Sequence, residues 1–294
     1  MRLTAVTHDI LGDPFWTSFV RGLADAAGQV GCTLQHVSPE RYTVGAMHAV
    51  LDRAIADRPD GLLTTLPDPA ALDARLRAAI DDGLPVIVLN TVDGRPPEVR
   101  LPALCTIGSD DHAGGRLAAE KTLAAGSGRL TLCVDHYRVA NVCHGQRIEG
   151  FSQRVEEAGG RTLRVPIDGA DAEGSTLDLE RALAEVGDAL DGVLTLGPPG
   201  WLAVDLALTR SGLAKRVSHV SFDVTPGVLE AIEAGRTLGT IDCQQYLQGY
   251  LGVILMSRYV AYGLVPCGDV MTGPRFVDAP LVPRIRARLD AGVG

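Results

Sequence analysis

Short, largely apolar runs alternate with longer amphipathic segments almost from end to end of the chain. The runs are Leu3–Thr7, Thr33–Val37, Gly61–Thr65, Pro85–Leu89, Leu130–Val134, Gly192–Leu196 and Val217–Phe222. Strands that stay apolar on both faces, each followed by a stretch of helical periodicity, predict a parallel sheet covered by helices on both sides. The expected class is α/β.

The pattern also repeats. Asp60-Gly61-Leu62-Leu63-Thr64 returns 131 positions on as Asp191-Gly192-Val193-Leu194-Thr195. Gly22-Leu23, followed at Gly31, returns after 128 positions as Gly150-Phe151, followed at Gly159. Pro85–Asn90 lines up with Ser218–Asp223 at an offset of 133. Three echoes in one order at nearly constant spacing predict two similar Rossmann-like lobes, each of ordinary domain size.

Composition narrows the function. Hydrophobic residues make up 46% of the 294, enough for a real core, so the chain is globular rather than disordered. With 36 Asp+Glu against 27 Lys+Arg the net charge is −9, which argues against a nucleic-acid partner, since phosphate needs clustered cations. No apolar run is long enough to span a membrane. The first strand begins at Leu3 without a signal segment, so the chain reads as either cytosolic or a mature form whose targeting segment has been removed.

Several chemistries have no motif here. The six cysteines show no CxxC, and they read as packed thiols instead of zinc ligands. His136 and His144 share one loop but lack an evident third ligand, so no metal is expected. There is no phosphate loop, GxGxxG, GxSxG or HExxH, hence no expected cofactor and no nucleophile with an oriented base. Asp110-Asp111, just before a helix, read as N-terminal caps.

Ligands of open parallel sheets bind outside the carboxyl ends of the strands. The loop after the first strand holds Asp9, Asp13, Phe15 and Trp16; its counterpart in the second half holds Asn141 and leads to Arg147. Asn90 and Asp223 stand at the matching ends of the fourth strands. Carboxylate, amide and guanidinium groups beside flat rings suit a small polyhydroxylated ligand, whose hydroxyls both donate and accept. Each residue also has a plainer reading. Phe15 and Trp16 fit lobe core, Asp13 and Asp223 fit helix caps, and Arg147 fits a surface pair with Glu149 or Asp135.

Five segments together resemble a known family: Gly12–Trp16, Gly108–Arg116, Gln146–Phe151, Phe222–Ile232 and Thr240–Tyr250. They are similar to the ribose-type, or simple-sugar, periplasmic binding proteins of ABC importers. The resemblance implies a type 1 architecture: two lobes joined by a three-crossing hinge, closing on sugar held in the cleft between them. It implies lobes of residues 1–107 with 243–271 and of 108–242 with 272–294. The family's aromatic pair falls on Phe15 and Trp16, its arginine on Arg147 and its aspartate on Asp223.

Three positions depart from the family pattern. Thr91 stands where the family often has arginine, Cys243 where it has a hinge glutamine (with Gln244 beside it), and Gly197 where it has asparagine. A monosaccharide other than ribose, or a sugar alcohol, is therefore expected, with Trp201 as an extra wall. The implied partners are ABC permease subunits, the implied location is periplasmic or lipid-anchored outside the membrane, and the implied state is a monomer. Rival readings are the effector domain of a LacI-type regulator and an α/β sugar-modifying enzyme.

Overall fold

The computed structural model describes residues 1–8, 14–126, 128–136 and 141–293, and of Pro14 only the backbone. In chain order the elements begin β1 (Arg2–Val6), α1 (Pro14–Val30), β2 (Thr33–Val37), α2 (Val44–Ala56), β3 (Gly61–Thr65), α3 (Pro69–Asp81), β4 (Val86–Asn90) and β5 (Thr106–Ser109). Next come α4 (Asp111–Ala125), β6 (Leu130–Asp135), α5 (Val142–Glu157), β7 (Arg161–Pro166), α6 (Ala172–Val186), β8 (Gly192–Thr195) and α7 (Pro198–Arg210). The remainder is β9 (Ser218–Phe222), α8 (Pro226–Glu233), β10 (Gly239–Asp242), α9 (Gln245–Tyr262), β11 (Val270–Gly273), β12 (Arg275–Val277) and α10 (Val282–Asp290).

These elements form two compact units. Lobe one comprises residues 1–109 with 244–272, and lobe two 110–243 with 273–292, so the chain passes from one to the other three times. Lobe one holds a sheet in the order β11-β5-β4-β3-β1-β2. Lobe two holds β12-β10-β9-β8-β6-β7, the same order strand for strand. Pairings from β1 to β5 and from β6 to β10 are parallel, and β12 runs antiparallel to β10. The echoed Gly61 and Gly192 begin β3 and β8, which pair with β1 and β6 in equivalent register.

Alternation along each strand sends side chains to opposite faces. Leu3, Ala5, Leu63 and Ile87 join the cluster under α1 and α9, while Val6, Leu62, Val86 and Val88 join the one under α2 and α3. Lobe two repeats the division, with Cys133 and Leu194 on the side of Phe151 and Leu132, Val134 and Val193 on the side of Leu179. The central strands are buried, whereas the edge strands β2 and β7 are half-open to solvent.

The second echo proves to be a helix crossing. A Cβ on Gly22 of α1 would lie 2.1 Å from the Tyr246 carbonyl oxygen of α9, and one on Gly150 of α5 would lie 2.1 Å from the His112 oxygen of α4. Glycine at those two places lets one helix backbone rest directly on another. Helices α2, α3, α4, α6 and α8 each begin on a side chain that accepts from the backbone N–H three residues on: Thr43, Asp68, Asp110, Asp171 and Thr225.

Candidate functional site

The polar residues of interest lie at the carboxyl ends of the strands in each lobe. Asn90 ends β4 and Asp223 follows β9, and both take the left-handed conformation, with φ of 67° and 69°. Asn and Asp tolerate that region better than other side chains, yet it still costs about 1 kcal/mol or more. The same uncommon backbone at matching places in two sheets follows the duplication of the lobes. Asp223 is not the helix cap its position suggested, because Thr225 caps α8.

In lobe two, Arg147 occupies the centre. It is 5% exposed, and its Nε donates to Asp111 Oδ1 at 2.6 Å. Its Nη1 donates to the Leu196 carbonyl at 2.7 Å and lies 3.9 Å from Asp223 Oδ2. The guanidinium sits 4.2 Å above the Phe222 ring, and Nη2 reaches Cys243 Sγ at 3.8 Å. Burial works against its charge, but Asp111, with Cys243 and Asp223, raises its pKa above the usual arginine range. The surface pair with Glu149 or Asp135 is thereby replaced by a buried one.

Two readings need correction. Asp110 caps α4, but Asp111 does not: it is 1% exposed and holds Arg147. Trp201 packs among Val224, Val228 and Leu229, and its indole N–H donates to Thr237 Oγ1 at 3.1 Å. Thr237 leads into the amino end of β10, so the ring fills lobe core instead of walling a ligand. Asn141 accepts from the backbone of Cys143 and His144 and caps α5.

Lobe one gathers rings beside its own polar group. His8, just after β1, meets Trp16 edge-on at 5.0 Å and Tyr42 at 5.6 Å, and its Nδ1 lies 2.8 Å from Thr65 Oγ1. Phe15 and Trp16 are buried in the cluster with Phe19, so the core reading describes them well, while Trp16 also reaches the carboxyl end of β1 through His8. Asn90 Nδ2 donates to Gln248 Oε1 at 3.2 Å, and Gln248 Nε2 donates to Thr272 Oγ1 at 3.1 Å. Gln244, at φ 54°, donates to the Thr272 carbonyl where the chain enters lobe one. Asp9 and Asp13 lie outside the described residues.

Gln248 and Asp111 are the partners of Asn90 and Arg147 that sequence reasoning missed. Each sits on a helix and meets its partner only through the fold. Among the described residues no group of three or more His, Cys, Asp or Glu is placed to hold a metal ion.

Lobe two also buries three histidines. Burial lowers the pKa of His136 and His144 and pushes that of His219 down to about 4, the nearby Asp205 opposing the last shift. A histidine held below its ordinary value leaves the unfolded chain binding more protons as pH falls under about 6.5. Stability is therefore expected to drop as pH falls from about 6.5 to about 4, through the range of the His219 shift. Thermal melts across that range check it, with His219→Gln giving a shallower fall than the wild type.

Two matched α/β sheets with polar residues at equivalent strand ends define a two-lobed ligand-binding protein. The chain belongs to the periplasmic binding protein domain family, whose model matches residues 5–263. It is 25% identical over 290 residues to the xylose/arabinose-binding protein XylF of Sulfolobus acidocaldarius, covering 94% of this chain and 70% of that protein. A carbohydrate transporter from Acidothermus cellulolyticus, solved with myo-inositol, has a TM-score of 0.91 at 26% identity, covering 100% of this chain and 99% of the other. An ABC transporter solute-binding protein from Agrobacterium vitis, solved with α-D-tagatopyranose, shares the fold at TM-score 0.84 and 22% identity over 98% of both chains. Proteins of this family bind substrates and are not enzymes, and this chain is a binding protein.

Proposed function

We propose that this protein is the solute-binding component of an ABC importer and takes a monosaccharide or sugar alcohol. The observation that carries the reading is the matched pair Asn90 and Asp223, held in the left-handed conformation at the same place in each lobe. Each presents a short polar group where a parallel sheet takes ligand. A carboxylate and an amide, with Arg147 fixed beside Asp223, satisfy hydroxyls and penalise analogues that lack one. The similarity to proteins described with myo-inositol, tagatose, xylose and arabinose supports the ligand class.

The mechanism follows from linkage. A ligand that touches both lobes gains contacts only when they close, so binding shifts the population toward the closed form. Domain closure of periplasmic binding proteins is a general example of such a transition. The proposed partners are ABC permease subunits that read the closed form, the protein acting as a monomer outside the cytoplasmic membrane, either free in the periplasm or lipid-anchored. No helix among the described residues is long and apolar enough to cross a membrane.

Asp223→Ala is expected to weaken sugar binding by about 2 kcal/mol or more, roughly thirtyfold, because a charged hydrogen-bond partner is lost. Calorimetric titration measures it, and unaltered affinity removes Asp223 from the site. Tryptophan emission gives a second check. Ligand should change the signal of Trp16, so Trp16→Phe abolishes the response and Trp201→Phe leaves it; the opposite pattern contradicts the placement of both rings.

A further inference from the structure

Three glycines of lobe two clear the space around a single imidazole. Gly169 follows β7, Gly197 follows β8, and Gly200 lies in the first turn of α7. A Cβ on Gly169 would lie 3.1 Å from His136 Cβ and 3.3 Å from its Cδ2. On Gly197 it would lie 2.9 Å from Cε1, and on Gly200 3.4 Å from Nδ1. A side chain at 197 and the His136 ring cannot both occupy that position without one of them moving.

The location matters. His136 follows β6, so its ring stands at the carboxyl edges of β6, β7 and β8, where open parallel sheets bind ligands. The point next to Gly197 that touches Cε1 is also 3.6 Å from Asp223 Oδ2. His144 packs edge-on against the His136 ring, ring centroids 4.7 Å apart at 71°. His144 is itself held, its Nδ1 2.7 Å from Asp135 Oδ1, and Arg164 donates to the other oxygen of Asp135 at 2.5 Å. His136 is 6% exposed, and this chain of contacts holds its ring in orientation.

We propose that His136 is a specificity-determining residue of the sugar site, its imidazole, seated against Gly197, meeting a ligand hydroxyl beside Asp223. The proposal rests on the sugar-binding reading above and names the group that selects within that class. Burial keeps the ring neutral, so one nitrogen donates and the other accepts. An ionised carboxylate only accepts. The pair together therefore distinguishes hydroxyl arrangements, favouring a sugar whose neighbouring hydroxyls can donate to Asp223 and pair with His136.

The test is calorimetric titration of wild type, His136→Gln and Gly197→Ala with myo-inositol, D-xylose, L-arabinose and D-tagatose, with thermal melts to confirm folding. The expected result is at least a tenfold loss for the tightest of the four in His136→Gln, with a changed ratio of affinities across them. Gly197→Ala leaves the imidazole in the chain but displaces it, and is expected to change the same ratio in the same direction. It decides the matter if His136→Gln does not fold. A purely structural role lowers all four affinities by a common factor and leaves their ratios unmoved. Folded variants with wild-type affinities, or with unmoved ratios, overturn the inference alone. A wild type that binds none of the four overturns it together with the sugar-binding reading.

Discussion

Arg147→Met is expected to destabilise lobe two by about 3–5 kcal/mol, the cost of leaving a buried charge without its partner. Asp111 is 1% exposed and accepts from Arg147 Nε at 2.6 Å; once the guanidinium is gone, its carboxylate must be protonated or hydrated. The Leu196 carbonyl loses its 2.7 Å donor at the same time. Asp111→Leu alone is expected to cost a similar amount, because it strands Arg147 instead. The double variant Arg147→Met/Asp111→Leu is expected to recover much of the loss, since an apolar pair carries no desolvation penalty. Urea unfolding of the four proteins measures this. Additive losses contradict the pairing.

The second large effect is expected at Gly150. Glycine to alanine inside a helix ordinarily gains about 0.8–1 kcal/mol. Here the new Cβ would stand 2.1 Å from the His112 carbonyl oxygen of the neighbouring helix, which can yield only if the helices separate. Overpacking of that kind costs about 1–3 kcal/mol and occasionally more. We expect Gly150→Ala to lose about 3 kcal/mol net, near the upper end because a backbone is struck rather than a flexible side chain. Gly145, five residues earlier in the same helix, has nothing within 4 Å, so Gly145→Ala is expected to stabilise by up to about 1 kcal/mol. Opposite signs for two identical substitutions in one helix are the outcome to look for in thermal melts; equal signs contradict the crossing.

How far the fold was legible depended on where each strand lies in its sheet. β1, β3, β4, β6 and β8 are covered on both faces, and their sequences are accordingly largely apolar; β9 is covered as well, though Ser218, His219 and Ser221 break its run. β7 escaped notice because it is an edge strand whose exposed positions include Arg161 and Arg164. β5, β10, β11 and β12 are three or four residues long and offer too little pattern. The duplication was readable for a physical reason: Gly22 and Gly150 serve the same kind of helix contact, so both halves keep glycine there.

The site was less legible. Asn90, Arg147 and Asp223 could be picked from their places after corresponding strands. That Asp111 and not Asp110 turns inward is decided by the Arg147 pairing, and nothing in the Asp-Asp dipeptide carries it. Gln248 meets Asn90 across 158 positions of chain, and only the fold brings them together. Trp201 looked like a ligand wall because it follows Gly197-Pro198-Pro199-Gly200 just after a strand, but those residues open α7 and the indole N–H found its partner in Thr237.

The central claim is that this chain binds a small sugar or polyol, and a thermal-shift panel of pentoses, hexoses and sugar alcohols tests it most directly. Ligand at one hundred times its dissociation constant adds about 2.7 kcal/mol of apparent stability. For lobes of this size that is a rise of roughly 5–10 °C in Tm. The account predicts such a rise for at least one member of the panel, saturating with concentration. A well-folded protein whose Tm is moved by none of them contradicts it.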